Sequence, residues 1–166
     1  MAYPDADLAR SYDTTKATSG GFIELVGPNG TAFPFGILNA KRPRSTLLQK
    51  PNLFSASKML RETLVPLQTL WSIMLQRPVR SIVHEDNQAT ITVINAGYSP
   101  QLRYLDKHHR VSLGVVHEMC QHDDNDVEHI TTDKQKGDLM TKGLQRPKHE
   151  PAVRMVGLCP VIFVDH

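Results

Sequence analysis

Three aspartates, Asp5, Asp86 and Asp138, stand where strands end or helices begin, and they come from distant parts of a 166-residue chain. Hard divalent cations such as magnesium take oxygen ligands, usually one or two carboxylates completed by waters and substrate phosphates. Two such ions about 4 Å apart can clamp the attacking and leaving oxygens of a phosphodiester. That chemistry requires several sheet and helix ends to bring acids together.

Asp86 has the strongest local setting. In Ile82-Val83-His84-Glu85-Asp86-Asn87-Gln88-Ala89-Thr90-Ile91 a short β-branched run ends in two carboxylates, and an Asn-Gln pair opens a new apolar period. This is the pattern of a buried strand delivering an acid to its C-terminal edge, where open α/β sheets bind ligands. The same residues also read as a helix cap, with Glu85 and Asp86 favourable to the helix dipole. Asp138 opens a final helix in Lys136-Gly137-Asp138-Leu139-Met140-Thr141-Lys142. Asp5 closes a short first strand that looks clipped.

The elements that must position these acids can be read in outline. Gly20 to Val26 predicts a strand, Gly27-Pro28-Asn29-Gly30 a turn, and Thr31 to Leu38 the hairpin partner. Residues 39–54 carry Lys41, Arg42, Arg44 and Lys50 among prolines without a clear period, and predict an aberrant basic loop. Leu60, Leu64, Leu67, Trp71 and Met74 fall at three- and four-residue steps, the stripe of a helix facing a core, which Pro66 should kink or divide. Arg80 to Glu85 predicts a strand, Asn87 to Ala96 a helix ending at Gly97, and Tyr104 to His122 a long helix. Val127 to Thr131 predicts the last strand, and Thr132 or Asp133 can cap a final helix running through Leu144. Residues 146–166 are proline-punctuated and read as a peripheral tail. The order implies an α/β domain over residues 1–145, a mixed sheet flanked by helices.

Composition sets the outer limits. Hydrophobic content of 40% and charged content of 22% are those of an ordinary globular domain, and a net charge of +2 is not a nucleic-acid signature. Two cysteines argue against a disulfide framework and fit a reducing compartment. No apolar run approaches the roughly 18 residues that span a bilayer, and Met-Ala-Tyr-Pro-Asp does not open a signal peptide. The expectation is an intracellular, cytoplasmic protein with no membrane partner.

Four motifs occur in order: Tyr3-Pro4-Asp5-Ala6-Asp7-Leu8-Ala9, Thr18-Ser19-Gly20-Gly21, Glu85-Asp86-Asn87-Gln88-Ala89 and Asp138-Leu139-Met140-Thr141-Lys142. Together they resemble the ribonuclease H domain at the end of copia-type retrotransposon Pol polyproteins, over most of residues 3–145. The resemblance implies a ribonuclease H-like fold with a five-stranded mixed sheet. It implies cleavage of the RNA strand of RNA/DNA hybrids with two Mg2+ ions, Mn2+ being an alternative. It also implies a reverse transcriptase domain in the same polyprotein, and a virus-like particle or the nucleus as further settings. By motif, Asp5, Asp86 and Asp138 match the first-strand, fourth-strand and last-helix acids, and Asp7 is a weaker candidate.

The fourth acid of that family is a glutamate on the first long helix, in a Ser-Thr-Glu-Ala-Glu type motif, and this sequence lacks it. Counting back from Asp86 lands near Asn52, whereas aligning on Trp71 lands on Lys58; Glu62 is the nearest acid. With suitable codons, a family-like coding stretch read one nucleotide out of frame would reproduce Asn39 to Phe54 apart from Ser45, which would make the segment one never selected to fold. Losing one member of a catalytic unit commonly costs orders of magnitude in rate. Cleavage is therefore expected to be impaired, with a catalytically dead hybrid-binding or scaffold domain as the alternative.

Arg103, Lys107, His108 and Arg110 cluster near the start of the long helix and could meet hybrid phosphates, as could Asn87 and Gln88 beside Asp86; a solvated helix face explains the cluster equally well. His117, Cys120, His122 and His129 lack the closely paired spacing of structural zinc ligands. His129, near the last strand, could instead aid proton transfer.

Overall fold

The computed structural model describes residues 1–8, 16–43, 51–99 and 113–158. The chain forms β1 (Ala2–Leu8), β2 (Lys16–Gly27), β3 (Gly30–Pro43), α1 (Pro51–Met59), α2 (Val65–Leu75), β4 (Ser81–Glu85), α3 (Gln88–Ala96), α4 (Leu113–Gln121), β5 (Asn125–His129), α5 (Asp138–Thr141) and α6 (Arg146–Met155). The strands make one mixed sheet in the order β3-β2-β1-β4-β5. β2 runs antiparallel to both β1 and β3, whereas β4 runs parallel to β1 and to β5. An α/β architecture with a mixed sheet and flanking helices is thus what the sequence patterning implied.

Strand alternation sorts the core onto two faces. Ala2, Ile23 and Val83 join Leu53, Met59, Leu60, Leu64, Ile94 and Val116 on the face covered by α1 to α4. Tyr3 and Phe22, one residue out of phase, pack with Val156 on the other face. The second face also holds a buried ion pair: Lys136 Nζ lies 2.7 Å from both carboxylate oxygens of Glu24, and the Tyr3 hydroxyl donates to Glu24 Oε1 at 2.9 Å.

Helix boundaries follow local chemistry. Asn87 caps α3 by accepting from the backbone N–H groups of Ala89 and Thr90, and Gly97 closes it at φ 66°, where a Cβ is disfavoured. Between α1 and α2, residues Leu60–Leu64 form a π turn in which the Val65 N–H bonds Leu60 O. Pro66 cannot donate to the helix ladder, and the wider turn just before it divides the helix as its position predicted.

Four expectations are corrected. Residues 39–54 are not a loop throughout: β3 continues to Pro43, paired with Lys16, and α1 begins at Pro51. Leu53 is fully buried and Phe54 nearly so, because α1 lays these side chains on the sheet. The stripe on α2 stops short, since Met74, expected in the core, is 66% exposed in the last turn before Gln76 turns left-handed. The final helix is broken into a 3-10 turn (Thr132–Lys134) and the short α5, because Gln135 is extended and its buried side chain is tied to Pro4 O at 3.0 Å and to the Gly137 N–H. The expected tail contains α6, and Val156 is buried beyond its end. β1 pairs with β2 along its whole length but with β4 in the single register Ala2↔Val83, so the first strand is short on its parallel side. Among the described residues no helix is long and apolar enough to cross a membrane.

The placement of α1 gives a direct test. Leu53→Ala is expected to lower unfolding stability by about 2–5 kcal/mol, the usual cost of emptying a buried leucine site. Urea denaturation checks it; a loss below about 0.5 kcal/mol, as at a surface position, would remove Leu53 from the core.

Candidate acid centre

β1 lies beside β4 through the pair Ala2↔Val83, and the charge of Asp86 at the end of β4 reaches Asp5. Asp5 has the phase of Tyr3 and so belongs to the α5 face, where it is 2% exposed. Gly137 lets α5 approach: a Cβ there would stand 2.5 Å from Tyr3 O and 3.0 Å from the Asp5 Cβ. Lys136, held by Glu24 and lying over the Tyr3 and Phe22 rings, fixes the residue before it. Asp138 is thereby delivered against β1. The Ser55 hydroxyl of α1 completes the frame, lying 2.8 Å from Asp5 O and 3.0 Å from Gly20 O.

Asp5, Asp86 and Asp138 share one electrostatic neighbourhood. Burial pushes Asp5 and Asp138 above the usual aspartate range, and the charge of Asp86 raises both further. Opposing this, the Thr141 hydroxyl bonds Asp5 Oδ2, and Lys142 Nζ lies 2.6 Å from Asp138 Oδ1 and 3.5 Å from Asp5 Oδ1. Burial disfavours the charge on Lys142, but the bond to Asp138 and the fields of Asp5, Asp138 and Asp86 outweigh it and raise its pKa.

Glu85, on the α1 face, is fully buried. Its Oε1 accepts from Asn52 Nδ2 at 3.3 Å and from the Asn87 N–H at 3.2 Å, while Oε2 is buried without a partner. Burial, with the charges of Asp86 and Asp5, pushes its pKa up to about 8 against those two hydrogen bonds. Neither Glu85 nor Asp86 is the α3 cap; that role falls to Asn87, whose side chain is committed to the helix backbone, while Gln88 is exposed beside it. Of the positions weighed for the family glutamate, Asn52 reaches this centre. Glu62 is exposed and pairs with Lys58 at 3.8 Å.

Asp7 is partly buried opposite Thr18. His129 is exposed, in register with Glu85 on β5, and His117 Nδ1 meets Ile94 O at 3.0 Å. Arg103, Lys107, His108 and Arg110 lie outside the described residues. A cleft of about 700 Å³ opens between α2 and α4 beside Val65, Ile73, Met119 and His122, and none of the three aspartates lines it.

Carboxylate oxygens suit Mg2+ or Mn2+ in kind, but the arrangement does not fit either ion. Among the described residues no group of three or more histidine, cysteine, aspartate or glutamate side chains is placed to hold a metal ion. The Lys142 ammonium hydrogen-bonds Asp138 and pairs with Asp5, and the Asn52 amide donates to Glu85. Sequence reasoning passed over Glu85 as a buried acid and Lys142 as its neighbours' counter-charge. The four-residue spacing from Asp138 to Lys142 was the available signal for the second. No protein-family model matches the chain, and no solved structure matches it.

Glu85 makes stability depend on pH. Its folded pKa, about 8, stands above the ordinary 4.5, so the folded state keeps a proton that the unfolded chain has lost. The associated stability is complete below the unfolded value and disappears as pH rises through about 8. Glu85→Gln removes this term, so the wild type should lose up to about 1.4 kcal/mol per pH unit relative to the variant as pH rises from about 7 to about 8. Taking the difference cancels the opposite slopes of His84 and the terminal ammonium, whose pKa values are lowered by burial. Denaturation at several pH values reads it, and parallel curves would show that Glu85 is not buried as an acid.

Proposed function

We propose that the chain is a ribonuclease H-like domain of the retrotransposon type, directed at RNA/DNA hybrids, in which cleavage of the RNA strand is impaired. The observation that carries the reading is the contact of Asn52 with Glu85, next to Asp86. Counted back from Asp86, the glutamate that the resemblance calls for falls near Asn52, and this contact is what supports that alignment over the one on Lys58. Two further features support the reading. The strand order β3-β2-β1-β4-β5 puts β1 and β4 side by side, and the acids come from β1, the end of β4 and α5. A neutral amide cannot supply the charge of a carboxylate, and Glu85 has too little access to water to replace it as an ionised group at neutral pH. A reverse transcriptase domain is the partner this reading implies.

Cleavage of a labelled RNA/DNA hybrid with Mg2+ and then Mn2+, with Asp86→Asn as the blank, tests the proposal. Wild type should stay near the blank, and Asn52→Glu should raise cleavage by about 100-fold or more, the scale on which one member of a catalytic unit acts. The change is made alone and together with Glu85→Gln, which exchanges amide and acid and preserves a hydrogen bond between them. Wild-type cleavage abolished in the blank would show that Asn52 does no harm. Folded Asn52→Glu proteins without any gain would end the nuclease reading.

A further inference from the structure

Both oxygens of Asp5 are engaged by the same turn of chain. Thr141 donates to Oδ2, and Lys142 Nζ stands 3.5 Å from Oδ1 while bonding Asp138 Oδ1 at 2.6 Å. An exposed lysine–aspartate pair four residues apart contributes little, but this one reaches a third group on the central strand that is 2% exposed. The lysine is itself tied down, its N–H bonding Asp138 O at 2.9 Å.

We propose that Lys142 is the resident cation of the acid centre: its ammonium bridges Asp5 and Asp138, and a divalent ion can bind there only by displacing it. The inference rests on reading the three aspartates as a nuclease-type centre and names what fills it. A hard divalent ion needs carboxylate lone pairs that Lys142 and Thr141 now occupy. Its apparent affinity is therefore lowered by the fraction of molecules in which the lysine is in place. Lys142 is a positioning residue here, since it holds the acids together without touching a substrate.

Free Mn2+, followed by its electron paramagnetic resonance signal, measures binding to the full chain without nucleic acid. Lys142→Gln should bind Mn2+ at least about tenfold more tightly than wild type, as expected if the lysine occupies the site about nine-tenths of the time. Lys142→Arg, which keeps the charge, should bind as weakly as wild type. Equal or weaker binding by Lys142→Gln, or tight binding by Lys142→Arg, overturns the proposal. If Lys142→Gln fails to fold in chelator, millimolar Mn2+ should restore its circular-dichroism transition, and failure to do so is equally fatal. These outcomes are independent of hybrid cleavage by Asn52→Glu, so the lysine and the nuclease reading can each fail alone.

Discussion

A carboxylate in the middle of a central strand must be given partners or lose its charge, and Asp5 imposes that condition on the rest of the molecule. Its side chain is 2% exposed, and burial, with the charge of Asp86, drives its pKa upward. The partners come from the far end of the sequence, where Thr141 and Lys142 close the short helix α5. Everything that brings α5 onto β1 therefore serves this contact. Gly137 leaves room for the approach, Gln135 ties the chain to Pro4 O, and the Lys136–Glu24 pair anchors it beside Tyr3. Breaking one partner of such a buried pair typically costs about 3–5 kcal/mol, so the second face of the sheet is held by polar contacts as much as by its small apolar cluster.

The first face is built differently. Leu53, Leu60, Leu64, Ile94 and Val116 supply a continuous apolar core, and the π turn before Pro66 keeps α1 and α2 on the same side of the sheet. Glu85 is an ionisable guest on this face, and it shares a hydrogen bond with Asn52. An amide facing an acid that retains its proton is a complementary pair, whereas two ionised carboxylates in that place would repel in a medium of low dielectric. The Asn52 amide is thus well matched to its neighbour as a packing contact.

The legible parts of the sequence were those governed by local period and capping. The α3 helix begins after Asn87 and ends at Gly97 because both residues carry their reasons with them. The hairpin turn, the division at Pro66 and the mixed α/β order were similarly readable. Asp86 and Asp138 could be singled out because each sits at an element boundary, whereas Asp5, expected to close its strand, lies in the middle of β1, which runs on to Leu8. What could not be read depended on contacts between distant residues. Pro51 opens a helix after a basic stretch only because the sheet offers a surface for Leu53 and Phe54. The break at Gln135 comes from a hydrogen bond to Pro4, and Glu85 is buried because α1 covers it. Local propensity has no access to any of these, since tertiary packing overrides it.

Within the acid centre the Lys142 ammonium offsets the charges of Asp5 and Asp138, while buried Glu85 keeps its proton beside Asn52. A crystal structure of the unaltered chain grown in millimolar Mn2+ tests this most directly, through anomalous scattering at the manganese edge. The expected map shows the Lys142 ammonium between Asp5 and Asp138 and no anomalous peak among the acids. A strong peak ligated by Asp5, Asp86 and Asp138, with Lys142 turned away, would contradict it.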